Sequence, residues 1–227
     1  MLPYFAFLLF QAAPLFDGQT LNGWHAASKP EDKDKAFWTV RDGAITCDSL
    51  GRKEHDYVWL VNDREFSDFD LEFQVRGFRR STGNSGLQFR SRYDAAAGWM
   101  NGPQVDIHPP APFRTGLIYD ETYETRRWIF PSLKNWEIAP DQGPKKWLWR
   151  YSDEGDGWNN IHLTCRGTKV TTVVNGIVIT DLDLGSVLDD EAHRRHNVGR
   201  SGNFALQLHS RDELLIQYRR FRLKTIP

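Results

Sequence analysis

Side-chain polarity in this chain repeats every second residue, in short runs separated by Gly, Pro, Asn and Asp, and almost nowhere with the period of a helix. A strand sends successive side chains to opposite faces, so one face of such a run can pack a core while the other meets solvent or a ligand. Three runs are furnished for the second use. In GNSGLQFRSR, Leu87, Phe89 and Ser91 fall on one face and Gln88, Arg90 and Arg92 on the other. In GPQVDIHP, Gln104, Asp106 and His108 share a face opposite Val105 and Ile107. In FALQLHS, Gln207 and His209 turn away from Phe204, Leu206 and Leu208. A merely solvated face carries mostly Lys, Glu, Ser and Thr. Amides, an Asp, His and Arg are the furniture of a polar groove.

Similar runs predict strands at 57–61, 69–76, 86–92, 103–107, 159–166, 203–209 and 213–223, with a bulge or register change near the last. Asp42-Gly43 and Asn175-Gly176 sit between apolar segments, and both pairs favour the tight type I′ turn of a hairpin. Residues 186–196 read as one short polar turn or helix. The segments 93–102, 108–118 and 120–158 are long and rich in Trp, Gly and Pro, which suits ordered, functional loops. Of the nine Trp, those at 99, 128, 136, 147 and 149 are the candidates for stacking on a sugar ring, and the others suit the core. A β-sandwich with a concave face roofed by loops accommodates all of this in one domain from residue 15 to 227.

A net charge of −1 gives no electrostatic case for nucleic acid as a partner. No apolar run reaches eighteen residues, so no integral membrane helix is expected. Residues 1–14 read as a signal remnant or an N-terminal arm. YFAFLLFQAAP looks like the end of a secretory apolar region without its basic start, and periplasmic or extracellular export is the expectation. Cys47 and Cys165 each continue an apolar strand face, as buried free thiols do, with a disulfide as the alternative.

Taken in order, LFDGQTLNGW, GNSGLQFRSR, PQVDI, TGLIYDE, WNNIHLTCRGTKVTTVVNGI and LQLHS with RRFRLK resemble the 3-keto-disaccharide hydrolase domain family, over nearly the whole chain from about residue 15. The resemblance implies an all-β, concanavalin A-like jelly-roll sandwich of two antiparallel sheets. It also implies an enzyme acting on 3-keto-glycosides or 3-keto-disaccharides, with a sugar or keto-sugar as substrate, and for some members a divalent metal ion as the one cofactor. A ketone at C3 acidifies the C2 proton, and the C1 oxygen then leaves by elimination through an enediolate. Water addition to the product gives net hydrolysis. Such a site needs a base near C2, an electrophile near the C3 oxygen and an acid for the leaving group.

Asp106 is the first candidate: Gln104-Val105-Asp106 matches the family's Gln-x-Asp, and alternation independently puts both polar residues on the open face. It serves either as base or as metal ligand. His209 matches the histidine of the terminal motif and is a ligand, a base or a hydrogen-bond donor. Glu121 completes the expected catalytic set, and Asp106, Glu121 and His209 are the expected ligands if an ion is held. Substrate contacts are expected from Gln88, Arg90, Gln104, His108, Tyr119, Asp120 and Gln207; Arg90 either polarises a ketone oxygen or pairs structurally with an acid.

A non-catalytic carbohydrate-binding module on the same scaffold is the alternative, since a fold does not fix a function. A conventional sandwich glucanase ranks last. It needs two carboxylates about 5–5.5 Å apart, and the dense E-x-D-x-x-E strand signature is missing.

Overall fold

The computed structural model describes residues 14–131, 138–139 and 141–226. Fifteen strands carry it: β1 Trp24–Ser28, β2 Trp38–Arg41, β3 Ala44–Asp48, β4 Val58–Phe66, β5 Phe69–Gly77, β6 Ser85–Asp94, β7 Trp99–Asn101, β8 Pro103–Ile107, β9 Ile118–Asp120, β10 Arg127–Phe130, β11 Trp158–Arg166, β12 Lys169–Val174, β13 Ile177–Asp183, β14 Gly202–Leu208 and β15 Leu215–Thr225. One short helix, α1 Glu191–His196, falls inside the segment expected to hold one. The first sheet runs β1-β4-β14-β6-β8-β9-β10, with β7 paired to β6, and the second runs β13-β12-β11-β5-β15-β3-β2. The fold is the jelly-roll β-sandwich that the sequence implies.

Period-two patterning explains how the sheets close on one another. Val105 and Ile107 of β8, Leu206 and Leu208 of β14, Leu71, Phe73 and Val75 of β5, and Ile161, Leu163 and Cys165 of β11 all enter one core between the sheets. Both expected hairpins form. Asp42 and Gly43 (φ 51° and 71°) join β2 to β3, and Asn175 and Gly176 (φ 49° and 81°) join β12 to β13, with the positive φ values that a type I′ turn demands. The register shift in β15 lies between Arg219 and Arg222, where Arg220 takes φ 54°.

Cys47 and Cys165 are both buried and free. They lie on β3 and β11, with β15 and β5 between them. At about 4.8 Å per strand that separation exceeds the roughly 7 Å a disulfide can span. The disulfide alternative therefore falls. The N-terminal arm and Trp136 lie outside the described residues. Among the described residues no helix is long and apolar enough to cross a membrane.

A second, smaller apolar cluster sits on the outer face of the first sheet, where Trp59 and Val61 of β4, Ala205 of β14 and Trp99 and Met100 of β7 pack together. Tyr57, just before β4, joins it. The β6–β7 hairpin is folded over that face and flanks the open polar side of β8, β9 and β14.

Candidate active site

The polar faces of β14, β8 and β9 lie along the first sheet, with β6 between β14 and β8, and point out of the core. A cavity of about 330 Å³ opens over them, lined by Tyr57, Thr82, Asn84, Gln104, Asp106, His108, Arg114, Tyr119, Glu121, Trp128, His209 and Asp212. Register explains the gathering. Tyr119 of β9 pairs with Gln104 of β8, Gln104 with Gln88 of β6, and Gln88 with Ala205 of β14. Asp106 pairs with Gly86, and a Cβ at Gly86 would fall inside the Gln104 side chain. Glycine there lets the amide lie flat across the sheet.

Beneath the cavity runs a chain of buried amides. Ser91 Oγ donates to Gln88 Oε1 at 3.0 Å, and Gln88 Nε2 to Gln104 Oε1 at 3.4 Å. Gln104 Nε2 lies 3.5 Å from Asp106 Oδ1 and 3.3 Å from Gln207 Oε1. Gln207 Nε2 donates to Glu121 Oε1 at 3.0 Å. An amide both donates and accepts, so this floor ties two carboxyls together without putting a charge between them. Each carboxyl is thereby held by one oxygen, while Glu121 Oε2 is buried with no hydrogen-bond partner and Asp106 Oδ2 meets only the Arg114 ion pair at 3.3 Å, without hydrogen-bond geometry. Asn84 Oδ1 and His108 Nδ1, also on the cavity wall, are buried without a hydrogen-bond partner. Buried polar atoms are normally satisfied, so such a concentration marks where a polar ligand belongs.

Electrostatics separates the two acids. Burial raises the Asp106 pKa to about 6, partly offset by Arg114, whose Nε stands 3.3 Å from Oδ2. Burial raises Glu121 further, to about 8; the Gln207 bond works against this, the negative charges of Asp106 and Asp120 add to it, and the more distant Arg126 opposes it weakly. Near neutrality the first is an ionised base and the second a protonated acid. Burial also lowers the pKa of His108 to about 4, with Arg114 adding to the effect, and lowers that of His209 against the pull of Asp212. His209 Nδ1 faces the Ser210 carbonyl at 3.2 Å, which places its proton there and leaves Nε2 to accept from the Tyr57 hydroxyl at 2.8 Å.

Asp106, Glu121, His209, Gln104, His108 and Tyr119 thus share one cavity, with Gln88 and Gln207 in the floor below it. Two expected residues do not join them. Arg90 takes φ 50°, which breaks the alternation of β6. Its guanidinium instead bonds Ser67 O and Gly167 O at 2.6 Å and Asp68 Oδ1 at 2.8 Å, at the end of the sandwich where β5 begins. Ser91 is correspondingly flipped to the Gln88 side. Asp120 points away from Tyr119 and Glu121, as a strand neighbour must. It accepts from Thr122 N at 3.0 Å and Thr125 Oγ1 at 2.7 Å and faces His193 Nε2 at 3.3 Å. Both are structural.

Of the stacking candidates, Trp128 lines the cavity. Trp99 is buried in the small cluster, Trp149 packs on Gly77, and the half-exposed Trp147 stacks on Phe113. Sequence patterning did not mark Tyr57, Arg114 or Asp212. Tyr57 had a legible signal, since it shares the outward face of β4 with Trp59 and Val61. Arg114 and Asp212 sit in loops, where alternation says nothing.

Among the described residues no three His, Cys, Asp or Glu side chains are grouped as an ion's ligands. Asp106 faces a guanidinium, Glu121 holds its proton near neutrality, and His209 Nε2 is taken by Tyr57. This donor set does not fit an ion in this arrangement. A further cavity, of about 360 Å³, lies on the outer face of the second sheet. Its polar groups pair with one another, Gln74 with Asn160 at 2.9 Å and His162 with Asp70 at 2.6 Å, as a solvated face does.

A family model described as a 3-keto-alpha-glucoside-1,2-lyase-like domain matches residues 11–224. A Bacteroides thetaiotaomicron protein named 3-keto-disaccharide hydrolase is 33% identical over 76 residues, which is 32% of this chain and 25% of that protein. The chain therefore matches about a quarter of that relative's length. A crystal structure from Parabacteroides distasonis, named among glycosyl hydrolases, superposes with TM-score 0.59 at 16% identity, over 94% of this chain and 93% of that one. The carbohydrate recognition domain of Emp46p superposes with TM-score 0.54 at 12% identity, over 91% of each. At such identities these two likenesses speak for the fold alone.

Proposed function

The chain belongs to the 3-keto-alpha-glucoside-1,2-lyase-like domain family, and from that premise we propose that it cleaves glycosides whose sugar ring carries a ketone at C3, by elimination across C1 and C2. One arrangement carries the proposal: two buried carboxyls, joined through a neutral amide floor, line one cavity, Glu121 with an unbonded oxygen and Asp106 with an oxygen held only by the Arg114 cation. Their unequal proton affinities give them opposite tasks.

Asp106 Oδ2 takes the proton from C2, and the resulting enediolate charge spreads onto the C3 oxygen. Arg114 is the cation beside the base and supplies the positive field for that charge. The electron pair returns to form the C1–C2 double bond, the C1–O bond breaks, and Glu121 gives its proton to the departing oxygen. The products are an alcohol and an unsaturated keto-sugar, with Asp106 now protonated and Glu121 ionised. That state is primed for hydration: Glu121 takes a proton from water as its oxygen adds to C1, and Asp106 returns a proton to C2. Both residues are then restored and the net reaction is hydrolysis. His108 Nδ1, Asn84, Tyr57 and His209 line the same wall and hold the ring hydroxyls.

A binding module alone is less well supported. It needs an exposed aromatic strip, whereas here Tyr57 stacks on Trp59 at 5.4 Å and Trp99 meets both rings edge-on. The decisive experiment offers a 3-keto-disaccharide and its unoxidised parent to the protein and to Asp106→Asn, with and without a chelator. Cleavage of the keto form alone is expected, with turnover falling at least about a hundredfold in the variant while ligand affinity stays within a few-fold. Binding without cleavage of either sugar would return the chain to the module class, and cleavage of the parent sugar would sink the elimination. Activity lost to the chelator and regained with a divalent ion would put an ion among Asp106, Glu121 and His209.

A further inference from the structure

Arg126 stands beside this cavity in a position its proposed chemistry does not use. It takes φ 30°, unusual for a side chain of its size, at the end of the turn in which Thr125 N and Arg126 N both bond Thr122 O. Its guanidinium lies over Trp99, with Cζ 5.0 Å from the ring centroid, and over Tyr123 at 4.7 Å, while its Nε donates to Tyr123 O at 3.2 Å. Trp99 is in turn bonded to the Glu121 carbonyl at 2.6 Å and meets the cavity-lining Tyr57 at 4.8 Å. One aromatic ring therefore separates this cation from the cavity.

The neighbouring arginines are spoken for. Arg127 pairs with Asp190 at 2.8 Å and Arg195 with Glu124 at 3.1 Å. Arg126 is half-buried and makes no direct ion pair among the described residues; its charge reaches Glu121 only at longer range, where it works against the rise in that acid's pKa. Two ring contacts and one carbonyl have already fixed its stem, so the terminal fork of N–H groups needs little further ordering to meet an oxyanion.

We propose that Arg126 is a specificity-determining residue that selects glycosides whose leaving-group side carries an oxyanion, a carboxylate or a sulfate. This rests on the elimination reading of the same cavity, with the cleaved bond at Glu121 and the leaving group directed toward the rim.

The test compares three aryl 3-keto-glucosides, bearing a 4-carboxylate, its methyl ester, or a 4-sulfate, at low ionic strength. The protein is expected to favour an anionic leaving group over the ester by about tenfold or more in kcat/KM. Arg126→Gln should remove that preference while leaving the ester within about threefold, with Arg126→Lys between the two. The carboxylate and sulfate arms show which anion the fork prefers. Equal losses on ester and acid, or no preference in the parent, would overturn the proposal. Should none of the three be cleaved, the elimination reading itself has failed. Tryptophan fluorescence titration with the same compounds then still decides: tighter binding of the anions, lost in Arg126→Gln, supports the rim site, and equal binding rejects it.

Discussion

Two carboxyls fifteen positions apart in the sequence acquire different proton affinities because the fold gives them different company. Asp106 has a guanidinium within 3.3 Å, while Glu121 has an amide on one oxygen and further acids nearby. Burial raises both; Arg114 limits the rise for Asp106 strongly, and Arg126 that for Glu121 only weakly. If Asp106 is the base and Glu121 the acid, kcat/KM must rise as pH climbs through about 6, where Asp106 loses its proton, and fall above about 8, where Glu121 loses its own. A bell with those two limbs is expected on a 3-keto-glycoside. Glu121→Gln should lose the alkaline limb and, for leaving groups that need protonation, most of the rate. Retention of an unchanged alkaline limb in that variant would assign it to another group. Nothing at this scale was legible as proton affinity. The sequence placed Asp106 on an open face and Glu121 near it, but desolvation and the Arg114 contact come from a loop whose path no periodicity reveals.

At the level of strands, alternation was reliable where the backbone stays regular. It placed Gln104, Asp106 and Gln207 correctly because β8 and the adjoining half of β14 run without interruption. It failed one residue at a time in β6, where the left-handed Arg90 reverses every facing that follows. It also missed β9 and β10, three and four residues long, inside segments whose Trp, Gly and Pro look like loop. A short strand has too few turns of the pattern to show a period. Gly86 illustrates what a strand contributes beyond facing. Because the Gln104 amide occupies the space above it, Gly86→Ala must push that side chain aside and break the amide floor between Asp106 and Gln207. Overpacking of this kind costs about 1–3 kcal/mol. A lowered denaturation midpoint is expected together with a loss of kcat out of proportion to KM. A stable variant with unchanged turnover would show that the floor does not position the acids.

The whole sandwich carries the cost of its site as a dependence of stability on pH. Glu121 and Asp106 bind protons more tightly folded than unfolded, with folded values of about 8 and about 6 against 4.5 and 3.8 for the free side chains. Folding stability must therefore fall as pH rises from about 4 to about 8. Each tenfold difference in proton affinity between the folded and unfolded chain is worth about 1.4 kcal/mol, so the fall amounts to at most about 8 kcal/mol in all. His193 works in the same sense. Burial opposes its charge, but Asp120 and Asp190 on either side outweigh that and raise its pKa. Its contribution is complete below the free value of 6.5 and is lost as pH rises through the raised one. Because His193 sits on α1 and Asp120 at the end of β9, that pairing fastens the helix to the strand that leads into Glu121. On the acid side the signs reverse. Burial of Asp120 and Asp190 is outweighed by their bonds to His193, which hold both below the usual aspartate range, so their contribution disappears as pH falls through those depressed values. The melting temperature is thus expected to peak near pH 4–5, well below the pH at which the acid and base are both correctly protonated. Glu121→Gln should flatten the decline between pH 4.5 and 8 and melt higher than the parent at pH 9, while being the poorer catalyst. A parent curve level from pH 5 to 9, or a variant with the same slope, would mean that the cavity does not hold Glu121 protonated, and the division of labour between the two carboxyls would fall with it.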